Sequence, residues 1–324
     1  MARSLIQHAD SEVNAFLDAY LDASPSVEAY TSGSTSEPKR IALPKALMRA
    51  SARATNAIFN IREGDLLLCP LAARYIAARM MMVRALEAGA RCLMLPPSSR
   101  PLEHWDGSEE VALLPVVPAQ VEGLLSEPDK CRRIRNVIVG GGALSAARER
   151  ALMQAPFRTK VSYGMTETCS HVALRDLDKP YYSALPAYEF SLDERGCLVI
   201  DRTDEIALHL VTNDMVRLLD SHTFEWLGRY DNVVNSGGIK FFPEQFEKLL
   251  QAELPADSFY LTSRASSRWG EELVAVILDD ALCDDDFLDA CHRLLPSRYA
   301  IPKAIFREEA RFTAHSAKLR RKKY

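Results

Sequence analysis

Four short apolar runs in the first half of the chain alternate with stretches of helical periodicity, and this alternation restricts the fold more than any other feature. The apolar runs are residues 65–69, 91–95, 111–115 and 136–140. The helical stretches are residues 45–59, 76–88, 119–125 and 145–154. Strands that are buried on both faces carry continuous apolar runs, and their alternation with helices is typical of a helix-covered parallel sheet. The sequence therefore predicts a layered α/β domain.

The pattern changes near Tyr188. Residues 197–228 contain short strand-like runs with turn residues and no helical periodicity, which indicates a small antiparallel, barrel-like region. After Gly228, strand patterns at 230–238 and 270–280 alternate with helix patterns at 242–254 and 284–296. We therefore expect an N-terminal domain of residues 1–228 and a small α+β domain of residues 229–324, joined near residues 228–231.

Composition excludes several classes of protein. Apolar residues make up 48% of the 324, enough for substantial cores, and a net charge of −4 gives no overall attraction to nucleic acid. Seven cysteines without a C-x-x-C pair argue against a disulfide framework or a zinc module and favour the reducing cytoplasm. The acidic Asp10 and Glu12 argue against a signal peptide, and no apolar run of about 20 residues predicts a membrane span. A homo-oligomer is compatible with the sequence.

The stretch YTSGSTSEPKR, residues 30–40, combines hydroxyl residues, a glycine and Lys39 after a strand-like run. Such a loop can offer backbone N–H groups, hydroxyls and a cation to a phosphate, although a Ser/Thr-rich surface turn has the same composition. The G-x-x-x-x-G-K-[ST] phosphate loop does not fit, because Pro38 and Arg40 occupy the positions of its second glycine and its hydroxyl residue.

The segment TSGSTSEPK resembles the phosphate loop of the adenylate-forming superfamily, T-[ST]-G-[ST]-T-G-x-P-K. Three further segments follow in the order of that family: SYGMTET at 162–168, GRYDNVVNSGGIKFFPEQFE at 228–247 and AHSAKLRRK near the C-terminus. Together they extend over nearly the whole chain. The resemblance implies a large α/β domain, abbreviated at its N-terminus, with a mobile C-terminal lid, and it implies an AMP-forming acid–CoA ligase that uses ATP, Mg²⁺, coenzyme A and a small carboxylic acid.

The resemblance also assigns roles in the N-terminal domain. The β- and γ-phosphates of ATP are expected at Thr31, Ser32, Gly33, Ser34, Thr35 and Lys39. The adenine is expected along Gly141, Gly142 and Ala143, with Tyr163 stacked on it and Gly164 and Met165 beside it. Thr166 is expected to bond the α-phosphate, and Glu167 is expected to ligate Mg²⁺, a hard ion that is commonly held by one or two carboxylates plus phosphates.

Further roles fall in the remainder of the chain. The resemblance implies that Asp214 and Arg229 hold the ribose and that Lys318 bridges the substrate carboxylate and the α-phosphate during adenylation. Asp231 matches the hinge about which the C-terminal domain turns between the two half-reactions. That turn would bring Gly237, Gly238 and Lys240 to the pantetheine channel. Three residues depart from the family pattern: Ser36 and Asn213 each replace a glycine, and Ala317 replaces the glycine before Lys318.

The run LAARYIAARMMMVRALEAGA, residues 71–90, is similar to a segment of the short o-succinylbenzoate–CoA ligases of menaquinone biosynthesis. Because that acid has two carboxylates and only one is activated, the other needs a cation, for which we predict Arg74 or Arg79, with Tyr75 as the aromatic wall. The alternative is that both arginines face solvent on an amphipathic helix. Another aryl- or acyl-CoA synthetase, a carrier-loading adenylation domain and a non-catalytic nucleotide-binding protein remain alternatives for the function.

Overall fold

The computed structural model describes residues 2–7, 10–30, 39–255, 257–308 and 321–324. The chain divides into two compact units. The first unit comprises residues 1–143, 150–188 and 202–207, and the second comprises residues 144–149, 189–201 and 208–324. The predicted domain boundary between residues 228 and 229 stays a prediction.

Eight α-helices and nineteen strands occur within the described residues. The helices are α1 Ser11–Leu21, α2 Lys45–Phe59, α3 Ile76–Ala88, α4 Val121–Leu125, α5 Pro128–Cys131, α6 Ala146–Met153, α7 Pro243–Leu250 and α8 Asp284–Leu294. The strands are β1 Ile6–Gln7, β2 Ser26–Tyr30, β3 Arg40–Pro44, β4 Leu66–Cys69, β5 Arg91–Met94, β6 Val111–Val116, β7 Asn136–Val139, β8 Arg158–Gly164, β9 His171–Asp176, β10 Tyr182–Ala184, β11 Tyr188–Leu192, β12 Cys197–Arg202, β13 Leu208–Asp220, β14 Thr223–Arg229, β15 Val234–Ser236, β16 Ile239–Phe241, β17 Phe259–Ser266, β18 Gly270–Ile277 and β19 Ile305–Arg307.

The first unit is built on a sheet with the strand order β1-β5-β4-β6-β7-β8-β9-β10. Along this order, each pair of neighbours from β1 through β8 is parallel, whereas β9 runs antiparallel to both β8 and β10. Every residue of β4, β6 and β7 is buried, as expected for central strands covered on both faces. The predicted α/β class is confirmed.

The two long helices of this unit have the predicted limits because the sequence contains residues that end a helix. Asn60 follows α2 with φ 52° and ψ 48°, and Gly89 follows α3 with φ 67° and ψ 21°. Both residues adopt the left-handed conformation, which Gly and Asn tolerate best and which commonly terminates a helix. Each of them ends its helix at the predicted position.

In the second unit, β14, β13, β12 and β11 form a run of neighbouring strands, and β13 and β14 are antiparallel. A separate five-stranded sheet has the order β16-β15-β18-β17, with β19 paired to β18. Helices α7 and α8 accompany it, and Phe259 meets Phe287 edge to face in the core with ring centroids 5.2 Å apart. This small α+β arrangement also agrees with the prediction.

Several described elements lie outside the predicted set, among them α1, β3 and β17. Helix α1 is capped by Asp10, whose side chain accepts a hydrogen bond from the Glu12 N–H at 2.8 Å. Strand β3 stands between the hydroxyl-rich loop and α2, and β17 pairs with β18 along eight residues. Among the described residues, no helix is both long enough and apolar enough to cross a bilayer.

Candidate active site

The predicted adenine loop follows the carboxyl end of β7. Gly141 has φ 83°, a left-handed conformation that glycine adopts without strain. A Cβ on Gly140 would lie 2.5 Å from the Ser162 hydroxyl of β8, so the loop also needs glycine to pass its neighbouring strand. The Ser162 hydroxyl is held in this place because it donates to the Val139 carbonyl at 3.0 Å. The result is bare backbone at a strand end, where a flat ring can approach closely.

Tyr163 and Gly164 lie at the carboxyl end of the adjoining parallel strand. The registers Val139↔Val161 and Val116↔Val139 align the ends of β6, β7 and β8. Tyr163 is half-buried, with its ring centroid 5.8 Å from that of Tyr182. Parallel α/β sheets bind ligands beyond the carboxyl ends of their strands. The structure thus brings two predicted adenine-binding segments to one edge of the sheet.

The segment after Tyr163 is tightly constrained. A Cβ on Gly164 would lie 2.3 Å from the Ser170 carbonyl oxygen, so only glycine fits there. The Met165 N–H donates to Thr168 Oγ1 at 3.1 Å, and that hydroxyl donates to the Ser170 carbonyl at 2.6 Å. The intervening 3₁₀ turn presents Thr166 and Glu167, both half-buried.

Cys169 ends this turn with φ 62°, a sterically costly conformation for a residue with a Cβ. Its side chain is fully buried, and burial raises the pKa of the thiol to about 12. The thiol is therefore protonated at neutral pH and unsuited to act as a nucleophile. Its position points to a structural role at the end of the turn that carries Thr166 and Glu167.

A pair of strands flanks the predicted phosphate loop. β2 and β3 are antiparallel, and Tyr30 pairs with Arg40 across the base of the loop. Arg40 also forms an ion pair with Glu28 at 2.9 Å. Lys39 is exposed beside this base. The predicted phosphate-binding residues Thr31, Ser32, Gly33, Ser34 and Thr35 lie outside the described residues, as does Ser36.

The predicted acyl-site residues surround the start of α3. Arg74 is exposed and lies over the ring of Tyr75, with its guanidinium carbon 4.9 Å from the centroid. Arg79 is half-buried and donates to the carbonyls of Ala73 at 3.0 Å and Glu28 at 2.8 Å. These contacts tie α3 to β2. Arg74 thus faces solvent, as in the alternative interpretation, while Arg79 binds backbone carbonyls.

The fully buried cation of this helix is Arg84, which is not among the predicted site residues. Its side chain donates to Ser170 Oγ at 2.7 Å and to the Met81 sulfur at 3.4 Å, and its Nε has no hydrogen-bond partner among the described residues. Burial lowers its pKa to about 10, so the guanidinium remains charged at neutral pH. The signal in the sequence was its place within the buried run Met80–Ala85.

A neutral histidine adjoins this cation. His171 is buried in β9, where its Nδ1 lies 3.2 Å from Ser170 Oγ and its Nε2 lies 3.2 Å from Thr55 Oγ1. Burial, and secondarily the charge of Arg84, lower the pKa of His171 well below its ordinary value. Arg84, Ser170, His171 and Thr55 therefore connect α3 and α2 to the segment that carries Glu167.

The predicted ribose pair lies within the second unit. Asp214 of β13 and Arg229 of β14 are directly opposite in the strand register, with Arg229 Nη1 at 3.5 Å from Asp214 Oδ1. Asp214 is buried and also accepts from Trp226 Nε1 at 3.2 Å. A carboxylate held in this way accepts hydrogen bonds only, which suits sugar hydroxyls.

The predicted hinge residue, Asp231, lies two residues after Arg229. Asp231 lies in a 3₁₀ turn, and its Oδ2 accepts from Asn213 Nδ2 at 3.3 Å and from Arg229 Nη2 at 3.4 Å. Lys240, together with Met215, Tyr230 and Val233, lines a cavity of about 240 Å³. The structure therefore places Lys240 beside the hinge.

The predicted pantetheine-binding glycines form the two-residue turn between β15 and β16. Gly237 and Gly238 have φ 58° and 84°, as such hairpin turns require. A Cβ on Gly237 would lie 2.8 Å from the Trp269 ring, whereas one on Gly238 would have no described atom within 4 Å. The turn therefore depends on glycine for two different reasons.

The predicted catalytic Lys318 and its neighbour Ala317 lie outside the described residues. The chain is anchored three residues after Lys318, where Arg321 forms a buried ion pair with Glu247 of α7. Arg321 also donates to the Leu261 carbonyl at 2.7 Å. Within the described residues, no cluster of three or more His, Cys, Asp or Glu side chains could hold a metal ion alone.

A larger cavity of about 890 Å³ lies in the first unit, lined among others by Tyr20, Asp22, Lys45 and Glu87. None of the predicted site residues that the structure describes lines this cavity. Lys45 is buried there and pairs with Asp22 at 2.7 Å. The cavity combines both signs of charge and is separate from the strand ends that carry the predicted nucleotide residues.

The parallel sheet, its glycine loop, the turn with Thr166 and Glu167 and the separate small α+β sheet define an adenylate-forming fold. The chain belongs to the AMP-binding enzyme family, whose model matches residues 18–205, more than half of its length. The predicted family is thereby confirmed.

Three known proteins illustrate the likeness. A 2-succinylbenzoate–CoA ligase of Bacillus cereus is 24% identical over 328 residues, which covers 90% of this chain and 68% of that protein. The crystal structure of an acyl-CoA synthetase (AMP-forming)/AMP-acid ligase II-like protein from Dyadobacter fermentans is 30% identical with a TM-score of 0.63, covering 95% of this chain and 91% of the other. An o-succinylbenzoate CoA synthetase of Bacillus subtilis in complex with its acyl-adenylate has a TM-score of 0.80 at 22% identity, covering 91% and 67%. This last likeness is one of fold.

Proposed function

We propose that the protein is an AMP-forming acid–CoA ligase. The observation that carries this proposal is the placement of the glycine loop 140–143 and of Tyr163 at the carboxyl ends of adjoining parallel strands, with Thr166 and Glu167 in the turn that follows. Family membership supports the same activity. The buried free thiols fit a reducing cytoplasm, the proposed location.

In the first half-reaction, a carboxylate oxygen attacks the α-phosphorus of ATP and the bond to pyrophosphate breaks. Both reactants are anions, so the site must neutralise charge and align the two groups. Thr166 would donate to the α-phosphate, and Lys318 would bridge it to the carboxylate with a mobile ammonium group. Gly141, Gly142, Ala143, Tyr163, Gly164 and Met165 would hold the adenine, and Asp214 and Arg229 the ribose.

The donor set fits magnesium held jointly with the nucleotide. Glu167 offers one half-buried carboxylate in a constrained turn, and Mg²⁺ commonly takes one or two carboxylates and completes its shell with phosphate oxygens and water. The bound ion would neutralise phosphate charge. Residues 31–35 and Lys39 would contribute hydroxyls, backbone N–H groups and a further cation to the β- and γ-phosphates.

In the second half-reaction, the thiolate of coenzyme A attacks the acyl carbon and AMP leaves. The proposed turn about Asp231 withdraws Lys318 and brings Gly237, Gly238 and Lys240 to the pantetheine arm. Glycine lets that narrow arm run along backbone, and the hairpin turn between β15 and β16 supplies such a surface.

The proposed acid is o-succinylbenzoate. The name of the Bacillus cereus relative supports it, as does the need of a second carboxylate for a cation. Because Arg79 is engaged with two backbone carbonyls, we propose the exposed Arg74 for that carboxylate. Tyr75, which is partly exposed beside Arg74, would form the aromatic wall.

Pyrophosphate release from ATP, measured over a panel of carboxylic acids with and without coenzyme A, tests the proposal. We expect release with o-succinylbenzoate and conversion to its thioester when coenzyme A is added. If only medium-chain or aryl acids cause release, the proposed acid is wrong but the proposed ligase activity stands. Nucleotide binding without release for any acid would contradict the enzyme and favour a non-catalytic nucleotide-binding protein.

A further inference from the structure

Asn213 occupies the position at which the family pattern has glycine, immediately before Asp214. Its amide uses both ends: Nδ2 donates to the hinge carboxylate Asp231 at 3.3 Å, and Oδ1 accepts from Arg195 Nη1 at 2.8 Å. A glycine at this position could form neither bond. The substitution therefore adds a connection between strand β13 and the hinge.

Arg195 fixes the other end of this connection. Its Nε donates to Asp193 Oδ2 at 2.7 Å, and its Nη2 donates to the Thr212 carbonyl at 3.0 Å. Its guanidinium also lies over the ring of Tyr230, 5.2 Å from the centroid. Since all three side-chain nitrogens of Arg195 are bonded, it is a fixed support and not a freely moving surface cation.

The hinge is therefore held at two consecutive residues. Tyr230 is covered by Arg195, and Asp231 is bonded by Asn213 and also by Arg229 at 3.4 Å. Arg229 in turn faces Asp214, the proposed ribose ligand. Asp231 is nearly half exposed, so water can replace each single bond at modest cost, which suits a reversible restraint.

We propose that Asn213 is a positioning residue that tethers the hinge and restrains the reorientation between the two half-reactions. A turn about Asp231 changes the backbone torsions at that residue, and these torsions place its carboxylate against Asn213. This inference rests on the proposed function. It adds a residue that retards the step between adenylation and thioester formation without touching either substrate.

The kinetic test compares the two half-reactions in single turnovers. In Asn213→Ala, thioester formation from the enzyme-bound acyl-adenylate should become about two- to tenfold faster, the range that follows from one or two exposed hydrogen bonds. Adenylate formation and the KM for ATP should stay within about twofold. An unchanged or slower thioester step in Asn213→Ala overturns the proposal.

Asn213→Asp is a second, nearly isosteric test variant. It has nearly the same shape and keeps an acceptor for Arg195, but it places a second carboxylate against Asp231. The thioester step should therefore be accelerated more than in Asn213→Ala at low salt, and the excess should shrink as salt screens the repulsion. A purely structural role predicts that the near-isosteric Asn213→Asp variant behaves as the parent does, which would also overturn the tether.

A distance measurement tests the tether independently of activity. Fluorescent labels on the exposed Cys283 and on an exposed α2 position, introduced as Ala57→Cys, report the distribution of orientations. Asn213→Ala should move molecules out of the main distance population of the parent, and an identical distribution overturns the proposal. If the parent releases no pyrophosphate with any acid, the proposed function fails, and this distribution still decides the tether.

Discussion

Asp214 and Arg229 stand directly opposite each other on β13 and β14, and this strand register sets the distance between their side chains. Trp226, three residues before Arg229, donates its indole N–H to the same carboxylate. Groups placed by paired strands are held more precisely than groups on loops. In the proposed function, this pair would offer an acceptor and a donor to the two hydroxyls of the ribose.

The Asp214→Asn variant should weaken ATP binding by about tenfold or more, equivalent to about 1.4 kcal/mol, because a charged acceptor is lost. The KM for ATP and direct nucleotide titration measure this loss. Asp220→Asn, at the exposed end of the same strand, is the matched control and should bind ATP as the parent does. Equal effects of the two substitutions would remove Asp214 from the nucleotide site.

Gly237→Ala and Gly238→Ala separate steric from conformational effects in the hairpin turn. Both place alanine at a positive φ, but only the Cβ at 237 meets the Trp269 ring. Thioester formation should therefore fall further in Gly237→Ala. The double change Gly237→Ala with Trp269→Ala should recover to the level of Gly238→Ala, as measured in single turnovers, whereas no recovery would show that the ring contact is irrelevant.

His171 should make the fold sensitive to acid. Its pKa is lowered by burial and by Arg84, while in the unfolded chain a histidine has its ordinary pKa of about 6.5. Below that pH, His171 is protonated in the unfolded chain but stays neutral in the folded protein. The free energy of unfolding therefore falls as the pH drops.

Urea unfolding of the parent and of His171→Gln between pH 7.5 and pH 5 measures this effect. The parent should lose up to about 1.4 kcal/mol per pH unit below pH 6.5 relative to the variant. A constant difference between the two proteins across this range would contradict a buried neutral imidazole.

The buried pair of Glu247 and Arg321 should contribute strongly to the stability of the second unit. Glu247→Ala leaves Arg321 buried without its carboxylate, and such a loss costs about 3–5 kcal/mol. Glu272→Ala, which breaks the more exposed pair with Arg264, should cost at most about 1 kcal/mol. Denaturant unfolding followed by circular dichroism compares them, and similar costs would refute the distinction.

The sequence predicted most of the regular structure because local signals and tertiary packing agree. Continuous apolar runs identified β4, β6 and β7, and residues able to adopt positive φ ended α2 and α3. Helix α1 also carries readable signals, since Asp10 caps it and Val13, Phe16, Leu17 and Tyr20 form its buried face.

Contacts between distant residues could not be predicted in this way. Arg79 and Arg84 are five residues apart, which places them about 140° apart around α3, and only the packing of that helix determines that Arg84 is the buried one. The bond between Asn213 and Asp231 depends on the register and bulges of β13 and β14. The sequence indicated the departure at Asn213 but not its partner.

The most direct test of the central claim measures the products of ATP, o-succinylbenzoate and coenzyme A by mass spectrometry, with the parent and with Lys318→Ala. We predict that the parent forms AMP, pyrophosphate and the succinylbenzoyl thioester in equal amounts. Lys318→Ala should form no acyl-adenylate but should still convert a supplied acyl-adenylate to the thioester. Formation of ADP, or equal loss of both half-reactions in Lys318→Ala, would contradict the account.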